Sequence, residues 1–177
     1  MEEGDVQSAV WRGRVPSCFS LSPNHDTSRE AEPYYVMLPR LGYLPLVMDS
    51  VLRHFVKSLP RGEEVRGEEV WVESDGTALK WQYPIGLLYD LHNTNSTLPW
   101  QLTVHLKGFP RGELLEGPSR EAMEGLFMSA LKEADCLKHR GHLMGELQRK
   151  EHKQLWLGLL NGQPTSSPTS SPTSSPT

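Results

Sequence analysis

Apolar positions in the first 110 residues recur with two different periods. In "WQLTVHL" they alternate with polar ones, which predicts a half-buried strand with Trp100, Leu102, Val104 and Leu106 on one face. In "YLPLVMDSVLRHFVKSL" they recur every three or four residues, which predicts an amphipathic helix with an apolar stripe of Leu44, Val47, Met48, Val51, Leu52 and Phe55. Pro45 fits the first turn of this helix, where a missing N–H costs little.

Shorter patterns complete the first half of the chain. The β-rich runs "CFSL" and "PYYVMLP" predict two strands with a long polar connection between them. "EVWVES" and "ALKWQ" flank Asp75-Gly76, a pair that favours a hairpin turn, and "YPIGLLYDLH" is typical of a short helix. This order of elements predicts an α+β fold in which one helix crosses a mixed sheet. The ubiquitin-like β-grasp is one topology with this order, although other topologies share it.

The second half of the chain predicts helices. Ser119 is a suitable N-cap, and good helix formers follow from Arg120 to about Leu160, with Gly141 and Gly145 weakening the middle. We expect two helices, or one kinked helix. At 100° per residue, Lys132 lies nearly opposite an apolar sector formed by Met123, Leu126, Phe127, Ala130, Leu131, Ala134 and Leu137. Its ammonium group is therefore expected in water.

Two repeats interrupt these patterns. "RGEEVRGEEV", residues 61–70, combines glycine with mixed charge and predicts a solvated loop made by a small duplication. From Pro164 the unit PTSS recurs every four residues without any apolar side chain. Such a segment cannot offset its ordering entropy, so residues 161–177 are predicted to be a disordered tail.

Composition narrows the classes of function. The 177 residues carry a net charge of -4, which gives no electrostatic basis for binding nucleic acid. No run reaches the roughly 18 apolar residues of a membrane span, and the acidic N-terminus is not typical of a secretory signal. The two cysteines, Cys18 and Cys136, form no CxxC pair, which indicates free thiols in a reduced cytosolic protein.

Candidate catalytic chemistry is sparse. Cys136, His139 and His142 have metal-ligand spacing, but Gly141 interrupts the helix, and surface histidines are the favoured interpretation, so no metal and no cofactor are expected. Motifs of the GxSxG, P-loop, GxGxxG and HExxH types are absent from the sequence. A cysteine nucleophile at Cys18 or Cys136 stays a minor alternative. The residues therefore favour a binding module over an enzyme.

Longer blocks resemble a known family. In order, "VWRGRVPSCFSL", "REAEPYYVMLPR", "LKWQYPIGLLYDL", "LPWQLTVHLKGFP", "FMSALKEADCLKH" and "EHKQLW" are similar to successive blocks of the autophagy protein 5 family. The resemblance covers about residues 6–160 and implies a ubiquitin-like β-grasp domain at 16–110. It further implies an N-terminal helix within 1–15, and the start of a helix-rich region at 118–160.

The resemblance also implies a function. In the family one lysine, which corresponds to Lys132 in "SALKEAD", accepts the ubiquitin-like modifier autophagy protein 12 through an isopeptide bond made by an activating and a conjugating enzyme. The conjugate binds the coiled-coil autophagy protein 16 and promotes attachment of another ubiquitin-like protein to phosphatidylethanolamine. A cytoplasmic, non-catalytic subunit of a ligase-like complex is implied, associated peripherally with the phagophore membrane.

Partner binding and the end of the chain give further expectations. We expect a partner surface at Trp11, Arg40 and Gly86, because Gly86 permits close approach within "YPIGLL". Family members continue into a second ubiquitin-like domain that shares the groove for the coiled-coil partner, whereas this sequence ends in the repeat, as a truncated isoform would. Without that second domain, the apolar side chains of "LWLGLL" are expected to be exposed, namely Leu155, Trp156, Leu159 and Leu160.

Overall fold

The computed structural model describes residues 3–27, 30–94, 97–116 and 119–161. In its first half it contains α1 (Glu3–Trp11), β1 (Arg14–Leu21), β2 (Tyr34–Pro39), α2 (Leu44–Phe55), β3 (Trp71–Ser74), β4 (Thr77–Ala78), α3 (Ile85–His92) and β5 (Trp100–His105). In its second half it contains α4 (Arg120–His139), α5 (His142–Glu146) and α6 (Arg149–Asn161). Single 3-10 turns lie at Val56–Ser58 and Gly67–Glu69.

The five strands form one mixed sheet in the order β2-β1-β5-β3-β4. β1 pairs antiparallel with β2 and parallel with β5, while β3 pairs antiparallel with both β4 and β5. The predicted α+β class and the ubiquitin-like order of elements are therefore confirmed. β4 is shorter than "ALKWQ" suggested, and Trp81 lies beyond it, where it contributes to a separate apolar cluster.

The predicted periodicities place the core on one face of the sheet. On β5, Trp100, Leu102 and Val104 are buried while Gln101 is exposed. The apolar stripe of α2 packs against this face through Val51 and Phe55, both fully buried. These contacts bury the apolar surface that provides most of the stability of the domain.

The hairpin turn has the geometry that its sequence predicted. Asp75 and Gly76 have φ angles of 47° and 76°. Two consecutive positive φ values match the twist of antiparallel strands, and the Asp-Gly pair tolerates them best.

Within residues 119–161 the structure has three helices, where two helices or one kinked helix were expected. Arg140 and Gly141 both adopt left-handed conformations, with φ of 59° and 79°, and this ends α4 before the short α5 begins. The expectation that "LWLGLL" would be exposed is wrong, because Trp156 and Leu159 are buried and Leu155 and Leu160 are half-buried. α6 packs Trp156 and Leu159 against the first domain, in an apolar cluster that we call the docking cluster: Tyr43, Trp81, Met123, Trp156 and Leu159.

The N-terminal helix is shorter than the segment 1–15 that was assigned to it. The N-terminal helix ends at Trp11, and β1 begins at Arg14, so strand occupies the end of the segment assigned to that helix. The predicted tail, apart from Asn161 at the end of α6, lies outside the described residues.

A buried histidine fastens the connection after β1 to the end of β5. His25 Nε2 accepts a hydrogen bond from the Leu106 N–H at 3.0 Å, so the ring proton of the neutral side chain belongs on Nδ1. Burial lowers the pKa of His25, and the nearby charges of Lys107 and His105 lower it further, against the opposing carboxylates of Glu63 and Asp26. Protonation of Nε2 would remove the acceptor that the Leu106 amide needs.

We expect His25 to make the stability of the fold depend on pH. A histidine with a lowered pKa binds a proton more readily in the unfolded chain, so its contribution is present above about pH 6.5 and is lost as the pH falls through and below that value. Urea unfolding of the wild type and of His25→Gln from pH 8 to pH 5 measures this contribution. Glutamine offers a non-titrating acceptor, so the free energy of unfolding of the variant should fall less on acidification. Parallel pH profiles for the two proteins would contradict this assignment.

Candidate functional site

The helix that carries Lys132 is anchored at its N-terminal end. The Ser119 hydroxyl accepts a hydrogen bond from the Ala122 N–H at 3.1 Å, which confirms the predicted cap. Met123 is buried in the docking cluster, and the ring of Phe127 lies 5.8 Å from that of Trp156. The first two turns of α4 are therefore packed against α6 and the first domain.

Beyond these turns α4 extends into solvent, and Lys132 is exposed as predicted. The apolar sector opposite it is less buried than expected: Leu131 is half-buried, whereas Leu126 is exposed and Leu137 is 83% exposed. Little covers this sector because, in the described part of the chain, α4 packs mainly against the short α5 and α6. Periodicity therefore predicted the orientation of Lys132 correctly, but it overestimated the burial of the apolar sector opposite this residue.

Asp135, three residues after Lys132, fixes the C-terminal end of α4. Its side chain is 6% exposed, and its two carboxylate oxygens accept hydrogen bonds from the N–H groups of Leu143 (3.4 Å) and Met144 (2.8 Å). The backbone carbonyl of the same residue accepts the N–H of Gly141 at 3.2 Å. The sequence did not lead to a prediction of this role, although an acidic residue shortly before Gly141, which interrupts the helix, could have indicated it. Asp135 therefore holds the C-terminal end of α4 against α5.

The cysteine and histidine candidates do not form a site. Cys136 is exposed on α4, and both cysteines are free thiols. Within the described ranges, no group of three or more histidine, cysteine or acidic side chains is arranged to hold a metal ion. Cys18 is buried in the sheet opposite Tyr35 of β2 and is not open to a substrate.

The predicted partner surface is built around Arg40. The backbone N–H of Arg40 donates to the Gly13 carbonyl, two residues beyond the half-buried Trp11 at the end of α1. The Arg40 carbonyl accepts the Gly86 N–H at 2.7 Å, and the guanidinium forms an ion pair with Asp90. A Cβ on Gly86 would lie 2.9 Å from Arg40 Cβ, so the close approach that glycine permits here is made by Arg40 itself. A role for these residues in binding a partner stays a prediction.

The chemistry open to this arrangement is that of an acceptor. Lys132 presents a primary amine to solvent on a helix that is held at both ends, and an amine can attack an activated carbonyl brought by another protein. Any such attack would draw its activation from the protein that presents the carbonyl.

The sheet, its crossing helix and the helices that follow define a ubiquitin-like domain with an appended helical region. Residues 10–106 match the family model described as "Autophagy protein ATG5, UblA domain", and residues 120–165 match "Autophagy protein ATG5, alpha-helical bundle region". The chain belongs to the autophagy protein 5 family, and this membership supports a role in autophagy.

Individual relatives agree with the family assignment. The chain is 42% identical over 158 residues to autophagy protein 5 of Drosophila melanogaster, covering 89% of this chain and 58% of that protein. It is 32% identical to autophagy protein 5 of Arabidopsis thaliana, covering 86% of this chain and 45% of the relative. The crystal structure of Kluyveromyces marxianus Atg5 shares the fold, with a TM-score of 0.75 at 20% identity, over 89% of this chain and 63% of that one.

The chain spans about half the length of the curated relatives it matches. Among the described residues, no helix combines the length and hydropathy needed to cross a bilayer.

Proposed function

We propose that this chain is the acceptor of a ubiquitin-like modifier, autophagy protein 12, at Lys132. The amine of Lys132 attacks the C-terminal carbonyl carbon of the modifier, which is activated by an acyl bond to the conjugating enzyme. The amide C–N bond forms as that acyl bond breaks, and the proton lost by the amine passes to the leaving group on the conjugating enzyme. The observation that supports this most is the exposure of Lys132 on α4, a helix fixed by the docking cluster at one end and by Asp135 at the other.

The proposal extends to what the conjugate does. As a non-catalytic subunit it promotes attachment of another ubiquitin-like protein to phosphatidylethanolamine, in the cytoplasm at the phagophore membrane. The coiled-coil autophagy protein 16 is the proposed partner for the surface around Trp11, Arg40 and Gly86. The support for these steps is family membership, together with the clustering of Arg40 and Gly86 next to the end of α1.

Lys132→Arg is expected to abolish conjugation without affecting the fold. Arginine keeps the positive charge at an exposed helical position but cannot form the amide bond. The assay combines the purified chain with the modifier, its activating and conjugating enzymes and ATP, and follows the shift in mass on a denaturing gel. Lys138→Arg, at another exposed lysine of α4, is the matched control and should be conjugated like the wild type. Conjugation of Lys132→Arg at the wild-type level would show that the site is elsewhere.

A second candidate is a non-conjugated interaction module that uses the first ubiquitin-like domain alone. The independent core of that domain, centred on Phe19, Phe55 and Trp100, favours it. If the folded wild type is not conjugated in the same assay, while its far-ultraviolet circular dichroism shows a cooperative unfolding transition, this second function replaces the first.

A further inference from the structure

The second copy of the duplicated segment "RGEEVRGEEV" has a structural role. Glu69 accepts hydrogen bonds from the Phe109 N–H at 3.2 Å and from the Arg111 guanidinium at 2.8 Å. This clamp holds the segment after β5 against the turn Gly67–Glu69. Glu64, the equivalent of Glu69 in the first copy, is exposed. The interpretation as a solvated loop therefore fits only residues 61–64 of the first copy, which are exposed.

The clamp closes one side of an apolar cavity of about 370 Å³. The cavity lies between α2 and the β3–β4 hairpin, and Leu44, Leu52, Leu79, Trp81 and Leu114 form much of its wall. Its volume falls within the range of about 300–1,000 Å³ that is usual for ligand sites in proteins.

The walls of the cavity are held in place by hydrogen bonds. Trp81 Nε1 donates to the Leu115 carbonyl at 2.7 Å, and Trp71 Nε1 donates to the Lys107 carbonyl at 3.3 Å. The indole of Trp71 also stacks on the His105 ring, with 3.9 Å between centroids. Two aromatic walls are therefore fixed before any ligand binds, which reduces the entropy that binding must overcome.

The charged groups at this cavity are all of one sign. Asp49 of α2 and Glu68 of the second RGEEV copy line it and are exposed, and no lysine, arginine or histidine is among its described lining residues. Neither carboxylate forms an ion pair within the described part of the chain. They belong to two different segments, α2 and the turn Gly67–Glu69 before β3.

We propose that this cavity binds a short peptide segment of a partner protein, in which an apolar side chain is flanked on both sides by lysine or arginine. The apolar side chain enters between Leu52 and Trp81, and the flanking cations meet Asp49 and Glu68. Charge complementarity of this kind contributes to the choice of partner as well as to affinity. Flanking charges on both sides fit a peptide better than a single-headed amphiphile, which carries one cation. The proposal is independent of Lys132.

A synthetic probe tests the proposal on the full chain. The probe is a fluorescein-labelled hexapeptide, Arg-Lys-Leu-Phe-Lys-Arg, and its counterpart Glu-Asp-Leu-Phe-Asp-Glu has the same apolar pair. Anisotropy should show binding of the basic peptide only, and the indole N–H resonances of Trp71 and Trp81 should shift in the bound state. Equal binding of the two peptides, or shifts confined to other residues, would overturn the proposal.

The sequence duplication provides a control variant. Glu68→Gln together with Asp49→Asn should weaken binding of the basic peptide about threefold to tenfold, in line with two exposed ion pairs. Glu63→Gln alters the same position of the first RGEEV copy, away from the cavity, and should leave the affinity unchanged. An equal loss of affinity in Glu63→Gln would show that the peptide is held by general charge attraction and would contradict the proposed site. Dodecyltrimethylammonium, used below its critical micelle concentration, tests for an amphiphile instead. If it shifts the indole N–H resonances of Trp71 and Trp81 at a lower concentration than the peptide does, the occupant is an amphiphile and the peptide proposal is wrong.

Discussion

Trp156→Ala is expected to lower the free energy of unfolding by about 3–5 kcal/mol, as truncation of a buried aromatic side chain usually does. Trp156 is only 3% exposed and lies in the docking cluster with Tyr43 and Trp81 of the first domain and Met123 of α4. Removing its ring leaves a cavity between α6, α4 and the ubiquitin-like domain. Urea unfolding followed by far-ultraviolet circular dichroism measures the loss.

The neighbouring Leu157 is the control for that experiment. It lies on the same helix but is 41% exposed, so Leu157→Ala should change the free energy of unfolding by no more than about 0.5 kcal/mol. Similar losses for the two variants would mean that α6 is not docked through Trp156. In the Trp156→Ala protein we also expect slower conjugation at Lys132, because the N-terminal end of α4 loses its anchor.

Gly86→Ala should destabilise the ubiquitin-like domain, although alanine is the better helix former. The new Cβ would lie 2.9 Å from Arg40 Cβ and 3.0 Å from the Arg40 carbonyl oxygen, which is held by the Gly86 N–H. Backbone atoms cannot move aside cheaply, and overpacking of this kind usually costs about 1–3 kcal/mol. Replacing glycine in a helix contributes at most roughly 1 kcal/mol, which matches only the lower end of that cost. The net change in the free energy of unfolding is therefore expected to be a loss.

Gly125→Ala is expected to raise the free energy of unfolding and is the control for Gly86→Ala. Gly125 lies on the exposed side of α4, and a Cβ there meets nothing within 4 Å, so the gain in helix propensity should stabilise the protein by roughly 0.5–1 kcal/mol. Chemical denaturation of the two variants side by side separates the steric effect from propensity. Stabilisation in Gly86→Ala as well would show that Arg40 does not occupy the space beside Gly86.

The patterns that could be read correctly from the sequence were those set by neighbours along the chain. The alternation in β5, the stripe of α2, the Asp75-Gly76 turn and the Ser119 cap depend on residues within a few positions of one another. The exposure of Lys132 belongs with them, because the direction of a side chain on a helix follows from its spacing to the apolar residues.

The features that could not be predicted depend on residues far apart in the chain. Trp156 was expected in water, yet it meets Tyr43 and Trp81, which lie 113 and 75 positions earlier in the sequence. The clamp from Glu69 to Arg111 and the hydrogen bond from Leu106 to His25 likewise join distant segments. No local pattern encodes which distant surface an apolar or polar side chain will meet.

By itself, then, the sequence determined the α+β class, the order of the elements, the orientation of Lys132 on its helix and the resemblance to a family. Only the tertiary structure decided that α6 folds back onto the ubiquitin-like domain, that Arg40 fills the space beside Gly86 and that the second RGEEV copy walls a cavity. The physical reason is that periodicity and turn chemistry are local, whereas burial depends on which distant surfaces the whole fold brings into contact.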